Sequence, residues 1–238
     1  MAAKSTTKVL IKPLGFDRRS VAAAAETLSL AFATDPLLMW LYRDASVMRW
    51  DSLTPALQKW QELRVRQMLV DEVAVEAVME QESMPRSLGV CFLRPPASHA
   101  LRRTSLRHWW EYLKVLWTRV WDQPKEPACD GKRSTTMYAS HEDFFKKFGT
   151  KYPKSSMWYL SIAAVNPDAQ GMGIGGTLMN WAIERMGNET CYLECTNYKN
   201  VPFYEKYGFK MLDEGVLRDE ERPSHECSLY HMVRDKAQ

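Results

Sequence analysis

The chain has 238 residues, 45% of them hydrophobic and 26% charged, which fits one well-buried globular domain and excludes disordered or fibrous classes. A net charge of +3 without a dense basic stripe argues against a nucleic-acid partner, although a mild positive bias suits an anionic cofactor. Met1 to Lys8 is polar with no signal-peptide core, and no apolar run approaches the roughly 20 residues that cross a bilayer, so the expectation is a soluble, cytoplasmic protein with no membrane partner.

In chain order, Val9-Leu10-Ile11 before Pro13 predicts a first strand, and Asp17 or Ser20 caps a helix over Val21 to Phe32. Asp35-Pro36 starts a short helix through Leu37 to Tyr42. A helical pattern runs from Val47 to Val70, with Pro55 marking a break or a start. Ala74 to Met79 and Leu88 to Leu93 form a hairpin turned near Pro85, and Pro95-Pro96 closes the first half. The stretch up to Met157 reads as a helical insertion. Within it Leu106, Trp109, Trp110, Leu113, Leu116, Trp117 and Val120 share one helical face, which predicts a cover packed on the sheet, the alternative being the lining of a pocket for a bulky amine. Gln123 to Thr136 reads as an exposed loop, and Ser140-His141-Glu142-Asp143 as the start of a short helix ended by Gly149 and Pro153.

After Met157 short units alternate: strand Trp158 to Val165, helix Gly173 to Met186, strand Thr190 to Thr196, helix Val201 to Tyr207, and strands near Phe209 to Leu212 and Glu226 to Val233. The whole reads as one α/β domain over 1–238: a mixed, twisted sheet of about six or seven strands with helices on both faces. The insertion covers about 95–157 and a ligand-binding core about 158–212. Cys91, Cys129, Cys191, Cys195 and Cys227 show neither CxxC spacing nor a nearby histidine pair, so free thiols and no metal site are expected.

The most informative stretch is Gln170-Gly171-Met172-Gly173-Ile174-Gly175-Gly176. Closely spaced glycines before a helix let successive N–H groups converge on a phosphate, assisted by the helix N-terminus. A nucleotide-triphosphate loop needs Lys and then Ser or Thr next, whereas Thr177 and Leu178 follow. A dinucleotide fingerprint matches the glycine spacing, but Asn166-Pro167-Asp168-Ala169-Gln170 separates strand from loop, and little chain remains for a second nucleotide half.

Gln170-x-x-Gly173-x-Gly175, followed by Tyr192-Leu193-Glu194-Cys195-Thr196, Asn200 and Pro202-Phe203-Tyr204-Glu205-Lys206-Tyr207-Gly208-Phe209, resembles the coenzyme A signature of the GNAT acetyltransferase superfamily. Within it, Trp158 to Phe209 is similar to the puromycin N-acetyltransferase subgroup. The resemblance implies a GNAT-like fold and direct acetyl transfer from acetyl coenzyme A to a primary amine of a small molecule, with no metal and no covalent enzyme intermediate. A subgroup that inactivates a drug implies detoxification or self-resistance. A protein amine as acceptor, or a non-catalytic acyl-coenzyme A module, stand as alternatives, and the oligomeric state stays open.

The resemblance also implies roles. Gln170, Gly171, Met172, Gly173, Ile174, Gly175, Gly176 and Thr177 take the pyrophosphate. The main chain of Ile162, Ala163, Ala164 and Val165 takes the pantetheine arm, and one of its N–H groups polarises the thioester carbonyl. Asn200 binds pantetheine or caps the following helix, and Phe203 lies beside the cofactor. Tyr204 protonates the departing thiolate. Glu194 is the candidate base, or else a structural acid orienting the loop to Asn200; His141 and Glu142 stand behind it. Cys191 and Cys195 share one face of an apolar strand and read as packing residues.

Overall fold

The computed structural model describes residues 8–42, 55–80, 86–99, 106–122, 130–219, 221 and 225–236. Among these, seven strands form one sheet: β1 (Val9–Pro13), β2 (Val73–Met79), β3 (Gly89–Arg94), β4 (Trp158–Val165), β5 (Cys191–Cys195), β6 (Phe209–Arg218) and β7 (Glu226–Arg234). Their order is β1-β2-β3-β4-β5-β7-β6, with β4 and β5 parallel and every other neighbouring pair antiparallel. The hairpin expected from Ala74 to Leu93 is the pair β2–β3; its turn at Pro85 lies outside the described residues.

The helices are α1 (Arg18–Ala31), α2 (Pro36–Leu41), α3 (Pro55–Asp71), α4 (Leu106–Trp121), α5 (Gly131–Phe148), α6 (Ile174–Met186) and α7 (Val201–Glu205), and both faces of the sheet carry some of them. Asp17 starts α1 by accepting from Ser20 N, and Asp35 starts α2 by accepting from Leu38 N, with Pro36 in the first turn, where its missing N–H costs nothing. The part of the third helical pattern before Pro55 lies outside the described residues. On one face of the sheet Ile174, Leu178, Met179 and Ala182 of α6 pack on Leu160, Cys191 and Leu193. On the other, Val21, Ala25 and Leu28 of α1 and Val65 and Leu69 of α3 pack on Val90, Phe92, Ile162 and Ala164.

Strand β4 changes face part-way. Leu160 pairs with Leu93 and Ile162 with Phe92, so Ser161 is an extra residue, a β-bulge. Trp158 and Leu160 therefore face α6, whereas Ile162 and Ala164 face α1 and α3. With a side-chain period of two, one inserted residue does this.

Three expectations change. The predicted loop over Gln123 to Thr136 is helical from Gly131, because the Asp130 carboxylate accepts from Lys132 N and Arg133 N; His141 consequently sits well inside α5 rather than at a helix start. The strand near Phe209 to Leu212 extends to Arg218 as β6, since ladder pairing with β7 overrides the turn-like Asp213-Glu214-Gly215. The Trp-rich helix α4 does not cover the sheet: it buries Glu111 and Val115 toward α3 and leaves Trp110, Trp117 and Trp121 60–72% exposed. Among the described cysteines, Cys91, Cys191, Cys195 and Cys227 are free and buried.

Candidate active site

Strands β4 and β5 pair at two positions only, Trp158 with Cys191 and Tyr159 with Tyr192. Beyond them the Ser161 bulge bends β4 away, and the β5-facing edge of Ile162, Ala163, Ala164 and Val165 opens as an unpaired strand edge. At its far end Asn166 accepts from Asp168 N at 3.1 Å and shapes the turn into the glycine loop. Gly171 and Gly173 adopt φ of 77° and 80°, where glycine alone is free of strain, and a Cβ on either would meet nothing within 4 Å. Those glycines are thus required by backbone conformation, and the space above them is open. Thr177 N makes the first α6 bond, to Gly173 O at 3.0 Å, so the N–H groups of Ile174, Gly175 and Gly176 precede the hydrogen-bond ladder, an arrangement that suits an anion. Gln170 and Met172 are exposed beside them.

The α6 start rests on α7. A Cβ on Gly175 would lie 3.4 Å from the Phe203 ring, and one on Gly176 would lie 3.1 Å from the Tyr207 hydroxyl. Asn200 occupies the N-cap position of α7 but makes no capping hydrogen bond, and its residue is exposed. Tyr204 packs against Phe203 and Phe209. Burial, then the neighbouring Cys195, Cys91 and Asp35, pushes its phenol well up, so it holds its proton. These features fit a ligand with an amide-bearing arm and a pyrophosphate.

On the opposite face lies a cavity of about 700 Å³, bounded by α1, α2, α3, α5 and the outward residues of β4 and β5. Tyr204, Asn200 and the glycine loop are not among its lining residues, whereas Glu194, His141, Glu142 and Ile162 are. Both oxygens of Glu194 are held: Oε1 is 2.8 Å from His141 Nδ1, and Oε2 accepts from the Tyr159 hydroxyl at 3.0 Å. Burial alone would raise the Glu194 pKa, but the His141 hydrogen bond, foremost among its polar contacts, outweighs it and holds it below its ordinary value. An ionised carboxylate only accepts, so His141 Nδ1 carries the hydrogen and a neutral ring keeps its lone pair on Nε2. Behind Glu194, Tyr192 OH meets the buried His231 Nδ1 at 2.7 Å, and burial lowers the His231 pKa, keeping it neutral. Glu142 is exposed and paired with Lys154 at 3.2 Å.

Cavity residues beyond those expected from sequence include Tyr159, Tyr192, Thr196 and Asp35. The signal for two of them is period-two alternation: Tyr192 and Thr196 share the outward face of β5 with Glu194, while Cys191, Leu193 and Cys195 face α6. Asp35 meets Thr196 through a side-chain hydrogen bond spanning 161 residues, which no local pattern announces.

The comparisons with known proteins give this parting parallel strand pair beside a glycine-rich helix start its class, an acyl-transfer site. Residues 136–211 match the family model described as Acetyltransferase (GNAT) domain, a match that supports an acyltransferase; enzymes with this domain use acetyl-CoA. The seven-stranded fold is similar to a solved structure from Corynebacterium glutamicum described as histone acetyltransferase HPA2 and related acetyltransferase (21% identity, 97% of each chain, TM-score 0.57). It is also similar to arylalkylamine N-acetyltransferase 2 from Aedes aegypti (15% identity, 96% of this chain and 99% of that one, TM-score 0.59). A third is the Drosophila melanogaster polyamine N-acetyltransferase that forms N-acetylagmatine (13%, 95% and 99%, TM-score 0.55). At these identities the likeness is one of fold.

Proposed function

We propose that the chain, as a single domain over 1–238, transfers an acetyl group from acetyl-CoA directly to a primary amine of a small molecule. The observation that carries this is the parting of β4 from β5 after two residue pairs, between an anion-binding helix start and a 700 Å³ cavity. A cavity of that volume suits a small acceptor. Its lining by Phe32, Tyr138 and Phe145 suits an amine on an apolar body. Enzymes acting on arylalkylamines and polyamines among the similar folds agree with that substrate class. Detoxification of such amines, as the puromycin-type resemblance implies, belongs to the same reading.

Acetyl-CoA supplies an activated acyl carbon and a thiolate leaving group. The loop from Gln170 to Thr177 holds its phosphates, the open edge of Ile162 to Val165 and Asn200 hold its arm, and Phe203 supports the loop. Removing the proton of an amine with a pKa of about 8 to 10 at neutral pH costs roughly 1 to 4 kcal/mol. Glu194 orients His141, which lines the cavity and takes that proton on Nε2; the base thus works as a pair rather than as Glu194 alone. Tyr204 keeps its hydrogen until the thiolate departs, then donates it. Cys191 and Cys195, their thiols pushed up by burial to about 12 and about 11, stay protonated and serve packing.

Purified protein is incubated with acetyl-CoA and a panel of amines while free thiol is followed. Release with small arylalkyl or polyamine acceptors supports the reading. Release only with peptide amines moves the acceptor to proteins, and binding of acetyl-CoA without release under any acceptor overturns it.

A further inference from the structure

Of the fourteen large apolar side chains exposed among the described residues, eight lie on α4. Helix α4 is amphipathic in an inverted sense. Its polar side faces the protein: Glu111 pairs with Arg66 at 3.5 Å and with Lys114 at 2.9 Å, and His108 meets Val70 O at 3.1 Å. Its apolar side, centred on Leu113 with Trp109, Trp110, Trp117 and Val120 around it, faces outward. At 3.6 residues per turn, Arg107 and Arg119 stand about 120° to either side of that centre. Both are exposed, and neither makes an ion pair among the described residues. Of the two acids within residues 106–122, Glu111 is buried and Asp122 pairs with Lys59 at 2.6 Å.

We propose that the outward face of α4 docks on a bilayer surface rich in anionic lipid. A broad Trp and Leu face flanked by snorkelling cations is the pattern of a helix lying in the interfacial plane. Charge decides between occupants. A second copy laid face to face would bring Arg107 and Arg119 against the same cations of its partner, with no exposed carboxylate on the face to meet them. An anionic surface complements both margins at once, and indole rings favour the headgroup level. The helix lies on the surface rather than crossing it: no helix among the described residues is long and apolar enough to span. The expectation of no membrane partner rests on the lack of a span and leaves surface docking open. The acetyl-transfer site is separate, with Gln61 and Arg64 of α3 lining the cavity while Leu63 and Arg66 face α4.

The test is co-sedimentation of the full chain with vesicles of phosphatidylglycerol and phosphatidylcholine against phosphatidylcholine alone, with tryptophan emission followed in parallel. Binding to the anionic vesicles with a blue shift, weakened about tenfold or more when salt shrinks the screening length from about 10 Å to 3 Å, is expected. Trp110→Gln with Trp117→Gln should abolish binding to both compositions, and Arg107→Glu with Arg119→Glu should abolish the preference for anionic lipid, with unchanged thermal melts showing that these exposed positions leave the fold intact. No binding to anionic vesicles at low salt overturns the proposal. So does a dimer that the tryptophan variant dissociates while vesicles go unbound, which assigns the face to a second copy. Acetyl transfer in solution proceeds in either case, so the two readings fail independently.

Discussion

At the residue scale, the proposed mechanism rests on Tyr204, His141 and Glu194. Tyr204→Phe removes the proposed donor to the thiolate and keeps the ring packed on Phe209; turnover should fall about 100-fold or more while acetyl-CoA affinity stays within a factor of two or so. Equal rates would remove the phenol from the mechanism. His141→Ala should lower kcat/KM most steeply near neutral pH, and acceptors of lower amine pKa should recover more of the rate, because less work falls to the base. Glu194 adds a stability signature. Its folded pKa lies below the ordinary 4.5, so the stability it contributes is full above that value and is lost as pH falls through the folded pKa. Melting temperatures of the wild type and Glu194→Gln should therefore converge below about pH 4.5, and a constant gap down to pH 2 would show that the carboxylate is not held as charge. The sequence motif leads to Tyr204 and Glu194, which stand at fixed offsets from the glycine loop. His141 is 53 residues from Glu194 along the chain, and only tertiary packing reveals that it is the partner.

At the element scale, the glycine loop and α6 are legible because their physics is local. The αL conformation at Gly173 demands glycine, and Gly173→Ala, whose Cβ clashes with nothing, isolates the backbone cost at about 1–2 kcal/mol. Melting should drop by about 2–8 °C and coenzyme affinity should weaken, with Gly173→Asn recovering part of both because Asn tolerates that conformation. Loss of affinity without loss of stability would instead place a ligand atom over the missing Cβ. Elements whose form is set by distant partners read poorly. Asp213-Glu214-Gly215 has turn composition, yet Gly215 sits inside β6, where a Cβ would run into the Ser140 hydroxyl and stand 3.0 Å from His231 Nε2. Helix α4 has the right period and the wrong assumed direction: an apolar stripe shows amphipathicity, whereas which side meets protein is decided by Glu111 with Arg66 and His108 with Val70.

At the scale of the whole molecule, the cavity exists because α5, an insertion helix, is anchored across the sheet end against α2 and β6. The anchor is Arg133, 3% exposed, which donates to Trp40 O and through Nε to Asp219 Oδ2 at 3.1 Å, with a second guanidinium contact to the same oxygen. Asp130 N adds a bond to Leu41 O at 3.2 Å. Two turns further along α5, the same rigid helix delivers His141 to Glu194. Removing one partner of a buried ion pair costs about 3–5 kcal/mol, whereas replacing both by apolar groups of similar volume is near neutral. Arg133→Met should thus lower the melting temperature on the order of 10 °C. Under the proposed mechanism it should also reduce kcat through misplaced His141 and leave acetyl-CoA affinity, which that mechanism assigns to α6 and α7, nearly unchanged. Arg133→Met with Asp219→Leu should restore most of the stability. If the double variant regains melting temperature and turnover together, the anchor acts by holding α5 in place; if it melts like the single variant, the pair is not what fixes α5 to the sheet.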